Sequence, residues 1–228
     1  MRNRSTRCRV YSLRRRSATA VAAALLLAAA GAAAGAVARG AEASKPAAAA
    51  TGPTSIERRI AADADGTVAI GNVAGSVRVE GWERAEVLVT GTIGAGVERV
   101  DVLRDGARVV VKVVMPRGGG HSRGGAELQV KVPLASKLEV SSVSADVETR
   151  GVRGAQRVAS VSGNVGLDFD AAPVELKTVS GDVQLRGTGQ ANTSRVTTVS
   201  GDVRIERGAG VLEVTTVSGD LALALGGL

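Results

Sequence analysis

The sequence predicts an all-β fold of the β-solenoid class, a β-helix or β-roll with coils of about 18 residues. Three observations carry that prediction. One five-residue motif recurs along the second half of the chain. The runs between glycines are short, β-branched and alternate apolar with polar residues, which is the pattern of strands. A unit of 18 to 20 residues is also too short for a βαβ crossover with its helix.

Length and composition bound the rest. The 228 residues suffice for one ordinary domain plus about forty residues more, or for two small domains. There is one Cys (Cys8) and one His (His121), too few for a thiol and imidazole zinc site, and no disulfide framework can form. Beyond the first seventeen residues the only aromatic side chains are Trp82 and Phe169, so base-stacking or sugar-stacking platforms are absent. The net charge of +7 has a local origin. Eight of the 29 bases and one of the 22 acids lie in residues 1–43, which leaves 21 of each for residues 44–228. The body is neutral, and no nucleic-acid partner is expected.

Residues 1–43 read as a signal peptide. An Arg-rich start precedes an uncharged run from Ser17 to Ala38, and Ala36-Val37-Ala38 and Ala41-Glu42-Ala43 are both A-x-A cleavage sites. An uncleaved membrane anchor is the rival, since the apolar run is long, but thirteen of its 22 residues are Ala. Cys8 precedes the apolar run, so it is not placed as a lipid-modified first residue. Residues 44–55, with two prolines among small residues, form a disordered linker. A single domain then spans 56–228, with regular coils from about 138.

Within 56–135 the strand-like runs are Thr67 to Ile70, Val77 to Val79, Val87 to Thr90, Val97 to Leu103, Arg108 to Met115 and Glu127 to Val132. Asp105-Gly106 signals a two-residue hairpin, and Arg117 to Gly125 a flexible loop.

The repeats are Val143-Ser-Ala-Asp-Val147, Val161-Ser-Gly-Asn-Val165, Val179-Ser-Gly-Asp-Val183, Val199-Ser-Gly-Asp-Val203 and Val217-Ser-Gly-Asp-Leu221, spaced 18, 18, 20 and 18 residues apart. Val73-Ala-Gly-Ser-Val77 is an earlier copy. In a stack of coils about 4.8 Å apart, both apolar positions of every copy form a dry core column: Val143, Val147, Val161, Val165, Val179, Val183, Val199, Val203, Val217 and Leu221. The polar positions form a corner column: Ser144, Asp146, Ser162, Asn164, Ser180, Asp182, Ser200, Asp202, Ser218 and Asp220. Gly permits positive φ there, and each carboxylate can accept from backbone N–H groups. A hydroxyl precedes every copy (Ser142, Ser160, Thr178, Thr198, Thr216), and an apolar residue lies three positions before it (Val140, Val158, Leu176, Val196, Val214). Since Val140 and Val143 cannot both face inward on a flat strand, a bend is expected between them and the corner. A second corner lies where length varies: Arg150 to Ala155, Asp168 to Pro173, Gly187 to Ser194 and Arg207 to Gly210.

These Val-Ser-Gly-Asp-Val copies, following Gly-Asn-Val-Ala-Gly-Ser-Val-Arg-Val-Glu-Gly-Trp-Glu-Arg-Ala-Glu-Val at 71–87, resemble a bacterial family of uncharacterised envelope proteins, the "putative adhesin" family, over residues 56–228. The resemblance implies an extracytoplasmic β-helical protein in the periplasm, at the cell surface or secreted. It brings no catalytic residues with it. Ala145 and Asn164 depart from the Ser-Gly-Asp pattern.

Candidate sites follow from chemistry. The Asp column could be a calcium ladder, but its period is twice the nine residues of calcium-binding β-rolls, and corner capping is the expected role. His121, beside Arg117 and Arg123 in a Gly-rich loop, reads as a solvated residue. Asp168 and Asp170 flank Phe169 as a close carboxylate pair in the coils, the place where an enzyme would hold its site; Pro173 puts them in a loop. Trp82 is expected to cover an open end of the core. The final Leu221-Ala-Leu-Ala-Leu225 has no polar cap, which predicts self-association or docking through an unpaired strand edge.

The sequence therefore predicts a non-catalytic structural or interaction module of the bacterial envelope, without cofactor or metal. Its partner is an envelope protein or a surface glycan, and the membrane enters only if the leader stays uncleaved. A carbohydrate-active β-helix enzyme or polysaccharide-binding protein is the alternative.

Overall fold

The computed structural model describes residues 7–12, 54–116, 124–188 and 191–225. His121 and most of the predicted linker lie outside the described residues. The strands in chain order are β1 Arg7–Ser12, β2 Thr54–Ala61, β3 Thr67–Trp82, β4 Glu86–Ile93, β5 Arg99–Asp105, β6 Arg108–Val114, β7 Ala126–Pro133, β8 Lys137–Arg150, β9 Gln156–Ser162, β10 Val165–Phe169, β11 Val174–Ser180, β12 Val183–Gly187, β13 Ala191–Ser200, β14 Val203–Ser218 and β15 Leu221–Leu225. The chain is all-β, as its β-branched, alternating runs require.

The sheet corrects the predicted solenoid. Its hydrogen bonding runs β8–β9–β11–β13–β14–β12–β10 and returns from β10 to β8, closing a barrel of seven parallel strands with further strands attached. The closure has a local cause. β8 and β14 are long enough to serve both walls. β8 pairs with β9 at Leu138–Ser144 and with β10 at Val147–Thr149. β14 pairs with β12 at Val203–Glu206 and with β13 at Ala209–Ser218. A repeat length reports which residues stack. It does not report whether the stack is open or joins its own end.

The attached region is more irregular. β3 lies parallel to β8 from Thr67↔Lys137 to Glu80↔Arg150 and carries β6 and β7 on its other edge. The runs predicted at Thr67 to Ile70 and Val77 to Val79 thus belong to one strand, which passes its glycine at φ 108 (Gly75) without breaking. β4 and β2 continue antiparallel beyond β7, and β5 closes a hairpin on β6. The hairpin turn falls one residue later than predicted. Asp105 pairs with Arg108, so Gly106-Ala107 is the turn, with Gly106 at φ 58.

Inside the barrel the register aligns Val147, Val165, Val183 and Val203, each 1% exposed. Leu221 continues the line half-buried. Leu167, Leu185 and Ile205 form the next buried row, and Val140, Val158, Leu176, Val196 and Val214 the opposite one.

The first valine of each motif is not in the core. Val143, Val161, Val199 and Val217 are 46%, 43%, 38% and 49% exposed, and Val179 is half-buried. Alternation up to the corner explains this. Val140 and the hydroxyl at 142 both face in, so residue 143 faces out. The small hydroxyl holds the inner place that had been expected for valine.

The outer surface of the same wall carries a column of alternating charge. Glu139, Arg157, Glu175, Arg195 and Glu213 stand in register on neighbouring strands. Arg157 and Arg195 reach Glu175 and Glu213 at 2.9 and 3.0 Å. The hydrogen bond from Lys177 holds the Glu175 carboxyl below its ordinary range, with burial opposing and Arg157 assisting. These pairs are solvent-facing, each worth at most about 1 kcal/mol.

The two surfaces of one strand give a direct test. Val183→Asp strands a carboxylate in the apolar row and should cost several kcal/mol, against a total of about 5–15 for a domain. Gln184→Asp, one residue along and half-buried, should cost under about 1 kcal/mol. Chemical denaturation of both variants decides, and equal damage would refute the assignment of faces.

Candidate functional site

Two places gather polar chemistry: the corner before β10, β12, β14 and β15, and a cleft at the ends of β8, β10 and β12 beside Arg207 of β14. At the corner the backbone stacks on itself. A Cβ on Gly181 (φ 116) or Gly201 (φ 127) would lie 2.3 Å from the carbonyl oxygen of Gly163 or Gly181 below, so the closeness itself demands glycine.

The acidic column is a ladder of acceptors. Asp146 accepts the N–H of Asn164 at 2.8 Å, Asn164 Oδ1 that of Asp182 at 3.1 Å, Asp182 that of Asp202 at 3.1 Å, and Asp202 that of Asp220 at 2.9 Å. Each side chain therefore ties its own corner to the next one, 18 or 20 residues on. Asn164 substitutes without loss because its amide oxygen accepts as a carboxylate does. Ser144, Ser162, Ser180, Ser200 and Ser218 are exposed beside the ladder.

The hydroxyls that precede each motif complete the corner. Ser160, Thr178, Thr198 and Thr216 are buried and donate to the carbonyls of Ser162, Ser180, Ser200 and Ser218 at 3.3–3.4 Å. Ser142 donates to Ala145 at 3.2 Å. The signal for this role lies in the sequence itself, where a hydroxyl stands just before the first valine of every copy (Ser142, Ser160, Thr178, Thr198, Thr216).

The cleft, of about 760 Å³, opens where the predicted second corner lies. Buried Phe169 and Val152 form its floor with Leu134, and Arg150, Arg153, Arg186 and Arg207 stand around it. Buried Gln156 ties the floor together. It accepts from Thr149 Oγ1 at 2.9 Å and donates to the carbonyls of Asp168 at 2.8 Å and Val152 at 3.3 Å. Gly187 allows Phe169 to sit there, since a Cβ would be 2.8 Å from the ring.

Four arginines and two carboxylates, Asp168 and Asp170, line the cleft. Arg150 is engaged by Glu148, and Arg186 lies 3.8 Å from Glu206. Arg153 and Arg207 have no acidic partner among the described residues. Arg207 is held at φ 53, in the left-handed region that costs a non-Gly residue on the order of 1 kcal/mol or more. Asp168 lies in β10, one residue before its end at Phe169, rather than in a loop as predicted, and Asp170 follows the strand; both are half-buried. Asp170 accepts from Thr188 Oγ1 at 2.7 Å. The two carboxylates leave the same side of one strand end, on either side of inward Phe169. Planar guanidinium forks suit carboxylate, sulfate or phosphate groups.

Trp82 is half-buried at the end of β3. Its Nε1 donates to the Glu86 carbonyl at 2.9 Å, and Arg84 and Lys131 lie 5.2 and 5.9 Å from the ring centre.

The ladder makes its own prediction. Asp182→Asn should preserve stability, whereas Asp182→Ala should lose about 0.5–1.5 kcal/mol, one hydrogen bond's worth. Because N–H groups already occupy these oxygens, chelation should leave the melting temperature unchanged. A calcium-dependent rise of several degrees would overturn the capping role, since a saturating ligand adds about 2.7 kcal/mol at a hundredfold excess over Kd.

A structure of a "putative cell adhesion protein" from Clostridium sporogenes is similar over 76% of this chain and 99% of its own, with TM-score 0.55 and 7% identity, a likeness of fold. A "putative adhesin" from Bacteroides fragilis aligns over 74% and 96% at 10% identity with TM-score 0.37. A "putative lipid binding protein" from Parabacteroides distasonis aligns over 74% and 97% at 11% identity with TM-score 0.29. No curated protein matches the sequence. The Toastrack DUF4097 family model matches residues 60–226, most of the chain, and the protein belongs to that family.

Proposed function

We propose that the protein is a non-catalytic, adhesin-like interaction module of the bacterial cell envelope, and that the arginine-rimmed cleft is where it holds an acidic surface glycan. The observation that carries this reading is the cleft itself. Two arginines without acidic partners stand over a floor fixed by Gln156 and Phe169. A neutral body concentrates the attraction there rather than over the whole surface. The names of the similar structures accord with a binding role, and the basic leader with export. Catalysis on a glycan needs carboxylates on both sides of the scissile bond, whereas Asp168 and Asp170 stand on one strand end.

Polygalacturonate should bind in a salt-dependent manner and a neutral polymer such as dextran should not. Arg153→Glu combined with Arg207→Gly should weaken binding at least tenfold while leaving the fold intact, because Gly relieves the positive φ. Equal retention of both polymers, or no effect of the substitutions, would refute the site, and hydrolysis of either polymer would refute the non-catalytic role.

Location has a separate test. Intact-mass analysis of protein from the native host should find it outside the cytoplasm, beginning near Arg39 or Ser44. A soluble cytosolic species that retains Met1 would overturn export.

A further inference from the structure

The exposed valines are not scattered. Among the described residues seven large apolar side chains are exposed, and five of them, Val73, Val143, Val161, Val199 and Val217, stand in one row with half-buried Val179. The paired residues on either side of each valine align the row across β3, β8, β9, β11, β13 and β14. Strand propensity alone does not require it. Threonine has the same branched shape and suits water better, and it stands at Thr197 and Thr215, two residues earlier on the same outward face. A contiguous apolar row left in water is the mark of an interaction surface.

The period of the row selects what covers it. Its members are one strand spacing apart, about 4.8 Å, and another β-stack repeats at that same spacing. The chain itself supplies one. Consider a second copy related by a two-fold axis that lies along the strands, between β9 and β11. The row then meets itself completely: Val73 faces Val217 of the second copy, Val143 faces Val199, and Val161 faces Val179. The charges choose the same axis. It sets Glu139 opposite Arg195 and Arg157 opposite Glu175 of the second copy, each pair occurring twice. In the column between the two rows Lys177, the one long side chain there, meets Ala159. An axis through β11 would set Glu175 on Glu175. An axis between β11 and β13 would keep unlike charges opposed but leave Val73 and Val143 with no valine to face.

We propose that the outer face of β3, β8, β9, β11, β13 and β14 is an interface between two copies of this chain, isologous about that axis. Its size suffices. Six strands about 4.8 Å apart, with about six residues of roughly 3.3 Å along each, cover roughly 570 Å² per copy. The pair buries roughly 1,100 Å², above the threshold of about 1,000 Å² for a specific interface and in the range of reversible ones. The valines supply its apolar area. The alternating charges fix its register, because a slip of one strand sets like charges face to face.

Sedimentation of the full chain at micromolar concentrations should find a reversible monomer–dimer equilibrium. Val161→Thr, Val179→Thr and Val199→Thr together keep branched side chains on an outward row, so circular dichroism and the melting transition should hold. The dimer should weaken at least about tenfold as its apolar area is lost. Arg157→Glu should weaken it by at least about tenfold as well, because two carboxylates then face Glu175 across the axis. Adding Glu175→Arg restores both contacts and should return dimerisation to within about threefold of the original. About the neighbouring axis the same two changes would set like charges together and deepen the defect. A chain that stays monomeric, a dimer indifferent to the threonine substitutions, or a double exchange that fails to rescue would each overturn the interface. If the chain is monomeric and floats with phosphatidylcholine vesicles while the threonine variant does not, the row belongs to a lipid surface and the two-fold interface is refuted.

Discussion

Strand spacing is the constraint on which the rest of this molecule depends. Parallel strands hydrogen-bond at one fixed separation, and here the chain also turns between strands within that separation. The turns must then stack backbone against backbone. A carbonyl oxygen 2.3 Å from where a side chain would begin leaves no residue but glycine at positions 181 and 201. Once those corners are fixed, every other column has no freedom left. The inner hydroxyls must meet the turn carbonyls, the acids must meet the N–H groups one unit away, and the valines after the corner must stack in the dark interior.

Much of this was legible because it is periodic. Spacing identified the residues that share a column, and alternation identified Val183 and Val203 as inward-facing. Two features were not. The barrel closes because β8 and β14 continue through corners where other strands stop, and their sequences there resemble those of their neighbours. The exposed Val143, Val161, Val199 and Val217 were misread because valine in a strand suggests burial, whereas the inner place belongs to a hydroxyl that the turn consumes.

The cleft shows a different limit. Arg150 and Arg186 stand two 18-residue steps apart in one column, but Arg153 and Arg207 come from corner segments that vary in length, so no single period connects all four, and read along the chain each is an ordinary surface charge. Only the closed arrangement of strand ends brings them around Phe169. The regular corner and the irregular cleft thus divide the labour. One end of the strands carries the constraints of folding, and the other is left free to vary its loops, as binding sites on rigid scaffolds commonly are.

The alternating charges along the outer wall have a consequence for how such a protein can change length. Excising the unit that contains Arg157 would set Glu139 beside Glu175, and excising the next would set Arg157 beside Arg195, like charges directly opposite one another. Excising both restores opposite neighbours, because Glu139 would then meet Arg195. Parity is therefore written into the wall: the protein can grow or shrink by pairs of units with its electrostatics intact, while a change of one unit leaves a fault line at the splice.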